Sequence, residues 1–256
     1  MSKDTIADVG MNRTGIKTSP VDSKDIIAAA ERAQPSSPGD AQAIAEVRKQ
    51  YMRESGDGLG RVPPPSSLKG MAKTAVDMLK GGKPTVFIDK LGERLAFERS
   101  GVRLYEGALA KLEVFGGWEG GPSRELLTKI LDDELSHFAL LTEAMEKLGA
   151  DPTAMTPSAD LTSVISMGVP AAISDARTNL RQAMQALLVA ELTDNASWEL
   201  LIDLARGLGH DSLADRFQLA LDAEAEHLAL VKGWLAAGVA TEARAPMDTA
   251  SVPAQP

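Results

Sequence analysis

The strongest constraint on the fold is a short motif that occurs twice, each time inside a long amphipathic stretch. Glu134 stands three residues before His137 in ILDDELSHFALL, and Glu224 stands three residues before His227 in ALDAEAEHLALV. Residues three apart share one face of an α-helix, so each pair predicts two metal-binding side chains about one turn apart. Because the chain has only three histidines, this repeat predicts two helices that contribute to the same polar site.

The composition favours helices over a sheet. Apolar residues make up 44% of the chain, aromatic residues only 4%, and Ala and Leu supply most of the apolar content, so we expect an all-α fold. Long amphipathic segments begin near residue 85, at an N-cap Ser123, near residue 173 and after His210. The connection between the second and third segments exceeds twenty residues. The pattern predicts a four-helix bundle of two hairpins joined by a long crossover.

The composition of the remaining segments predicts the domain organisation. Residues 1–67 form a mostly polar N-terminal extension, flexible or partly helical, and a lead-in helix follows at 68–84. The bundle occupies residues 85–240, and residues 241–256 form a disordered tail.

Charge and residue usage exclude several classes of function. A net charge of −9 argues against nucleic-acid binding, which depends on basic residues. The chain has no apolar run of about 18 residues and no signal peptide, so we expect a cytoplasmic protein without a membrane partner. It has no cysteine, so a metal would be held by carboxylate and imidazole, without thiolate ligands or an iron–sulfur cluster.

Two further glutamates lie on apolar helix faces, one in each of the helices that precede the two motifs. Glu98 lies 36 residues before Glu134, and Glu191 lies 33 residues before Glu224. In the second hairpin both glutamates lie about 20–23 Å from the turn, whereas in the first the distances are about 26 and 17 Å. Divalent ions would offset the charge of these carboxylates and reduce the cost of burying them.

Two glutamates and two Glu-x-x-His motifs, one contribution from each of four helices, resemble the ligand set of the ferritin-like di-iron and di-manganese proteins. The resemblance covers about residues 85–240. It implies that Glu98 and Glu191 are terminal ligands and that Glu134 and Glu224 bridge the metals. It also implies that His137 and His227 each bind one of two iron ions or, alternatively, two manganese ions.

The resemblance extends to residues beside the ligands. Tyr105, seven residues after Glu98, matches a tyrosine of ferritins, bacterioferritins and rubrerythrins. Its implied catalytic role is to hydrogen bond a ligand or to supply an electron. Asp133 resembles a carboxylate that orients a ligating histidine on a neighbouring helix, a place taken by Ala223 in the second copy. Asp194 is either an extra ligand, an acceptor for a ligand, or an exposed helix acid.

Two other residues are expected to have ordinary structural roles. We interpret Trp198 as core packing, with lining of the metal cavity as the alternative. We interpret His210 as a loop residue, because no carboxylate stands at ligand spacing from it.

The function implied by the resemblance is a non-haem di-iron oxidoreductase that oxidises Fe(II) with O2 or reduces peroxide. Three alternatives stay open: a manganese catalase, a di-iron oxygenase with an organic substrate in an apolar channel, and a non-enzymatic iron-storage protein. The long N-terminal extension and the absence of a fifth helix favour a homodimer or small homo-oligomer over a hollow shell.

Overall fold

A computed structural model describes residues 20–32, 41–55, 59–65, 70 and 84–244. The chain divides into two compact units, Met1–Gly58 and Leu59–Pro256. In the first unit, α1 spans Pro20–Arg32 and α2 spans Ala41–Glu54, with no buried residue on α2. The predicted lead-in helix at 68–84 lies outside the described residues, apart from its residues 70 and 84.

The second unit contains four long helices that form two hairpins. Its long helices are α3 (Pro84–Phe115), α4 (Arg124–Leu148), α7 (Leu180–Gly207) and α8 (Asp211–Arg244). Helix α3 packs along α4, and α7 packs along α8, while α3 also contacts α7. Residues 241–244 continue α8 instead of starting a disordered tail, and residues 245–256 lie outside the described part.

The crossover contains two short helices. Helix α5 spans Pro157–Ile165 and α6 spans Gly168–Ser174, and both pack against α3, while α6 also packs against α7. The prediction that the third long helix starts near residue 173 is therefore wrong, because α7 begins at Leu180. The reason is local: Asn179 accepts a hydrogen bond from the Gln182 backbone, and the Gln182 side chain accepts one from the Asn179 backbone. This capping box starts a new helix there.

Helix α4 has the predicted start, and a glycine ends it. The Ser123 side chain accepts a hydrogen bond from the Leu126 N–H at 3.2 Å, which caps the helix N-terminus. Gly149 ends the helix with a φ of 81°, a left-handed conformation that glycine adopts at little cost. Between α3 and α4, Trp118 donates a hydrogen bond from Nε1 to the Trp234 carbonyl at 3.0 Å. This contact holds the loop against α8. The loop also connects the two helices of the first hairpin, whose glutamates were expected at unequal distances from the turn.

The bundle interior consists of two apolar clusters. The first surrounds Leu91, Leu141, Trp198 and Phe217, and the second surrounds Leu104, Ile130, Leu187 and Val231. Along each long helix, the glutamates and histidines of interest fall between residues of one cluster and residues of the other. The polar site therefore lies between the two apolar clusters, near the middle of the bundle.

Within the described residues, none of the helices has the length and apolar composition needed to cross a membrane.

Candidate metal centre

The structure brings the six residues predicted as ligands together in the interior of the bundle. All six side chains are buried: Glu98, Glu134, His137, Glu191, Glu224 and His227. One glutamate comes from α3, one Glu-x-x-His pair from α4, one glutamate from α7 and the second pair from α8. The predicted arrangement, in which each of the four long helices contributes side chains to one site, is therefore present in the structure.

Glu224 lies at the centre of this cluster. Its Oε1 is 2.7 Å from His137 Nδ1, and its Oε2 is 3.1 Å from His227 Nδ1. Its two carboxylate oxygens thus approach histidines of two different helices. This arrangement is compatible with the bridging role that the resemblance implies for Glu224.

The potential ligand atoms form overlapping groups whose members all lie within 4.8 Å of one another. One group contains Glu98, His137 and Glu224, and another contains Glu134, Glu191, Glu224 and His227. A third group adds Asp194 to three of the glutamates. Glu224 occurs in all three groups and Glu134 in two, so the geometry is compatible with bridging by these two residues.

Several buried atoms of the cluster have no aligned hydrogen-bond partner within the described part of the chain. They are Glu98 Oε2, Glu134 Oε2, His137 Nδ1, Glu191 Oε2 and Glu224 Oε1. Buried polar atoms are normally satisfied, because leaving one unpaired costs about 1–3 kcal/mol. Cations bound by oxygen and imidazole nitrogen would satisfy all of them, so the residues fit a metal centre.

Electrostatics support the same conclusion. Burial and the neighbouring carboxylates raise the pKa of Glu134 well above its ordinary value. Burial, together with the charge of Glu224, raises the pKa of Glu191 to about 8. Burial alone would also raise the pKa of Glu224, but the nearby imidazoles of His137 and His227 outweigh it and lower that pKa. The buried carboxylates therefore lack enough positive charge to balance them, and divalent ions would supply that charge.

Tyr105 and Asp133 both contact the second pair of helices. Tyr105 donates a hydrogen bond from its hydroxyl to Glu191 Oε1. Burial and the Glu191 carboxylate raise the pKa of Tyr105, so its phenol keeps its proton. Asp133 Oδ2 lies 3.1 Å from His227 Nε2, while Nδ1 of the same ring faces Glu224. Asp133 can thus accept a hydrogen bond from a protonated Nε2 and leave Nδ1 free to bind a metal.

Arg94 is a buried residue of the site that the sequence analysis missed. One of its guanidinium nitrogens contacts Glu98 Oε1 at 2.7 Å and also Asp194 Oδ1. Burial would lower the pKa of Arg94, but the charges of Asp194 and Glu98 outweigh that effect and raise it. The sequence signal was the spacing of four residues between Arg94 and Glu98, which places both on one helix face.

Asp194 is a buried member of this network and not an exposed helix acid. Burial raises the pKa of Asp194 more than its contact with Arg94 lowers it. Since its carboxylate belongs to one of the potential metal-binding groups, both roles that place it at the site remain: an additional ligand, or an acceptor that holds Arg94.

Gly101 is a second residue of the site that the sequence analysis missed. A Cβ at this position would lie 2.6 Å from Cδ of Glu134, closer than side-chain carbons approach one another. The absence of a side chain on α3 therefore provides the space in which a carboxylate from α4 sits. The signal in the sequence was a glycine inside a long helix, where it costs about 1 kcal/mol relative to alanine.

The two residues given structural roles differ in their relation to the centre. Trp198 is fully buried in the apolar core, and its ring also meets the His137 ring edge-on at 5.7 Å between centroids. It therefore combines core packing with lining of the cluster. His210 lies in the turn before α8 and stacks on Phe87 at 5.1 Å, as part of the hairpin end and not of the ligand cluster.

The architecture and the cluster define a class of protein: a four-helix bundle with a long crossover that carries carboxylates and histidines at its centre. A comparison with protein families gives the same answer independently, because the profile of the Ferritin-like domain matches residues 88–238. The chain belongs to the ferritin-like family, and the all-α bundle predicted from the sequence is confirmed. Neither the curated proteins nor the solved structures yielded a significant match.

Proposed function

We propose that this chain is a non-haem dinuclear metal oxidoreductase that holds two iron ions and either oxidises Fe(II) with O2 or reduces peroxide. One observation carries the proposal: six carboxylate and imidazole side chains from four helices meet between two apolar clusters with unpaired ligand atoms. His137 and Glu224 pair in part with each other, but Glu134 Oε2 and Glu191 Oε2 have no partner within the described residues. A purely structural ion-pair network would use those two oxygens, so their lack of partners supports bound cations.

The charges of the buried side chains support two divalent ions. Arg94 offsets Asp194, and the four glutamates then match the charge of two divalent cations. Burial of such a set is costly unless it is neutral overall. The whole cluster, including the arginine, is therefore balanced when both positions are filled.

The side chains around the ligands would position them and exclude water. Two iron ions held by Glu98, Glu134, His137, Glu191, Glu224 and His227 would supply electrons in pairs, the number that converts one peroxide and two protons to two waters. The Tyr105 hydroxyl holds Glu191 by one oxygen and leaves the other free for the centre. The apolar clusters on both sides limit solvent access.

Several properties of the working protein follow from this proposal. The chain contains no cysteine, so a separate protein or Fe(II) itself would provide electrons, with O2 or peroxide as the acceptor. A cytoplasmic location would fit the same composition. We also propose a homodimer or small homo-oligomer, which size-exclusion chromatography with light scattering would distinguish from a large shell.

The first experiment is elemental analysis of the full chain after anaerobic loading with Fe(II) or Mn(II). We expect about two ions per wild-type chain and a marked loss in Glu224→Ala and in His227→Ala, since these side chains belong to the potential ligand groups. Glu226→Ala is the matched control, because Glu226 lies on the same helix but is exposed. Equal metal content in Glu224→Ala and Glu226→Ala would overturn the proposed site.

The loaded wild-type chain then reveals the reaction. Consumption of O2 during Fe(II) oxidation or loss of peroxide would support the oxidoreductase. Peroxide loss with manganese alone would favour a manganese catalase, because carboxylate and imidazole ligands serve both metals. Uptake of many iron ions per chain without turnover would favour storage and contradict the enzyme.

A further inference from the structure

A second cavity lies outside the ligand cluster, in the groove between α3 and α7 under the crossover helices. It has a volume of about 140 Å³. Its apolar lining comes from all three parts of the bundle: Phe97 and Leu104 of α3, Ile165 and Val169 of the crossover, and Val189 and Ala190 of α7. This cavity is called the crossover pocket below.

The polar side chains of the crossover pocket already have partners. The hydroxyl of Ser100 donates to the Ala96 carbonyl at 3.1 Å, and the hydroxyl of Thr193 donates to the Val189 carbonyl at 2.9 Å. Each bond joins residues four apart in one helix, so these hydroxyls turn back onto their own helix.

The crossover side of the pocket has the same property. Ser166 donates to the Thr162 carbonyl, and the Thr162 hydroxyl donates to Glu93. Glu93 is itself paired with Lys90 at 2.6 Å. None of these groups needs a polar ligand, and an occupant with charge or several hydrogen-bonding groups would lose solvation without gaining partners.

We propose that the crossover pocket binds one uncharged apolar molecule of about the size of a benzene ring. A cavity of about 150 Å³ with an apolar lining stays dry and takes up benzene in a well-studied unrelated protein. The crossover pocket matches that volume and apolar lining, and the exposed side chains of Ile165 and Val189 leave its mouth open to solvent. The occupant gains by removal of apolar surface from water, which contributes about 25 cal/mol per Å².

The pocket and the ligand cluster use neighbouring residues of α3 and α7. Phe97 and Ala190 line the pocket, and the residues that follow them are Glu98 and Glu191. The guanidinium of Arg94 also lies over the Phe97 ring, 4.7 Å from its centroid. An occupant would therefore rest on the side chain that also covers the arginine of the metal centre.

The test is isothermal titration of the full chain, without metal, with benzene and with benzoate. Benzene should bind one molecule per chain, and benzoate at least about tenfold more weakly because its charge finds no partner in the pocket. Binding in this experiment requires no metal, so its outcome is separate from that of the proposed redox function.

Two variants locate the site. Val169→Phe should fill the pocket and weaken benzene binding at least about tenfold. Val164→Phe makes the same chemical change on the same crossover, at an exposed side chain outside the pocket, and should leave binding unchanged. Ala190→Leu fills the pocket from α7 and replaces Val169→Phe if that chain does not give a wild-type helical circular dichroism spectrum.

Three results would overturn the proposal. They are absence of benzene binding to the wild type, wild-type affinity in both filled variants, and equal affinity for benzene and benzoate. A change from a larger to a smaller particle on Val169→Phe substitution would also overturn it, because the apolar face would then be an interface between copies of the chain.

Discussion

The two halves of the ligand cluster contain the same ligand types but are held in different ways. The first half comprises Glu98 of α3 with the Glu-x-x-His pair of α4, and the second comprises Glu191 of α7 with the pair of α8. In the first half, Glu98 is ion-paired with Arg94, and His137 packs against an indole ring. In the second half, hydrogen bonds hold the ligands instead.

Most of these supporting groups come from the opposite hairpin. Tyr105 and Asp133 belong to the first hairpin and hold ligands of the second. Trp198 and Asp194 belong to the second hairpin, and they contact His137 and Arg94 of the first. Each hairpin therefore depends on groups of the other hairpin to hold some of its ligands, so the complete site requires the two hairpins to pack together.

The largest expected effect comes from Arg94, the charged group of the first half. Arg94→Met should lower the free energy of unfolding by about 3–5 kcal/mol, because it leaves buried carboxylates without a counter-charge. Adding Asp194→Leu removes one of those carboxylates and should restore most of the loss. Urea denaturation of the single and double variants measures both. A double variant as unstable as Arg94→Met would show that packing of the arginine, and not its charge, stabilises the bundle.

The pH dependence of the metal-free protein tests the charge of the second half. Burial raises the pKa of Glu191 from 4.5 to about 8, so the folded protein holds a proton that the unfolded chain has lost. The free energy of unfolding should therefore fall as the pH rises through this window, by up to ~1.4 kcal/mol per pH unit for each such proton. Burial would lower the pKa of His227, but Glu224 outweighs burial and raises it. This raised pKa also makes the free energy of unfolding fall as the pH rises. The lowered pKa of Glu224 acts only below 4.5.

Urea denaturation between about pH 5 and pH 8 checks this dependence. Glu191→Gln should flatten the slope, and metal loading should reverse it, because ions replace the protons. A wild-type stability that rises over the same range without metal would contradict the assignment.

The carboxylate beside His227 tests the asymmetry between the two motifs. Asp133→Asn should weaken metal binding at the second half by roughly 10–100-fold, because the histidine loses the group that orients it. Asp132→Asn is the control, since Asp132 is the exposed neighbour on the same helix. Titration with Mn(II) should show one weakened and one unchanged position. Equal weakening of both positions would mean that Asp133 does not act through His227.

The smallest expected effect is at Gly101. Gly101→Ala should move the Glu134 carboxylate and weaken metal binding about tenfold, whereas alanine itself favours the helix by up to about 1 kcal/mol. Stability without metal should therefore be kept while affinity is lost. Gly233→Ala on α8 is the matched control, because a Cβ there meets no atom within 4 Å. Unchanged affinity in Gly101→Ala would show that Glu134 can bind a metal from another position.

Spacing along the chain was enough to predict the bundle and the set of side chains that meet in it. Helical periodicity determines which residues lie on the same face of a helix. It places Glu98 on the face of α3 that carries the apolar residues, and therefore in the interior. The start of α7 was missed because periodicity alone did not separate the short helix α6 from it, and the cap at Asn179 decides the boundary. The first hairpin also assembles despite its predicted mismatch in level.

The sequence by itself determined the four long helices, the family and the six predicted ligand residues, because those depend on spacing within each helix. Only the tertiary structure decided that Arg94 and Gly101 also support the ligands. The contact of Arg94 with Asp194 joins residues a hundred positions apart, and the space beside Gly101 exists only when α4 packs against α3. Such contacts depend on the relative position of helices, and no local pattern encodes that position.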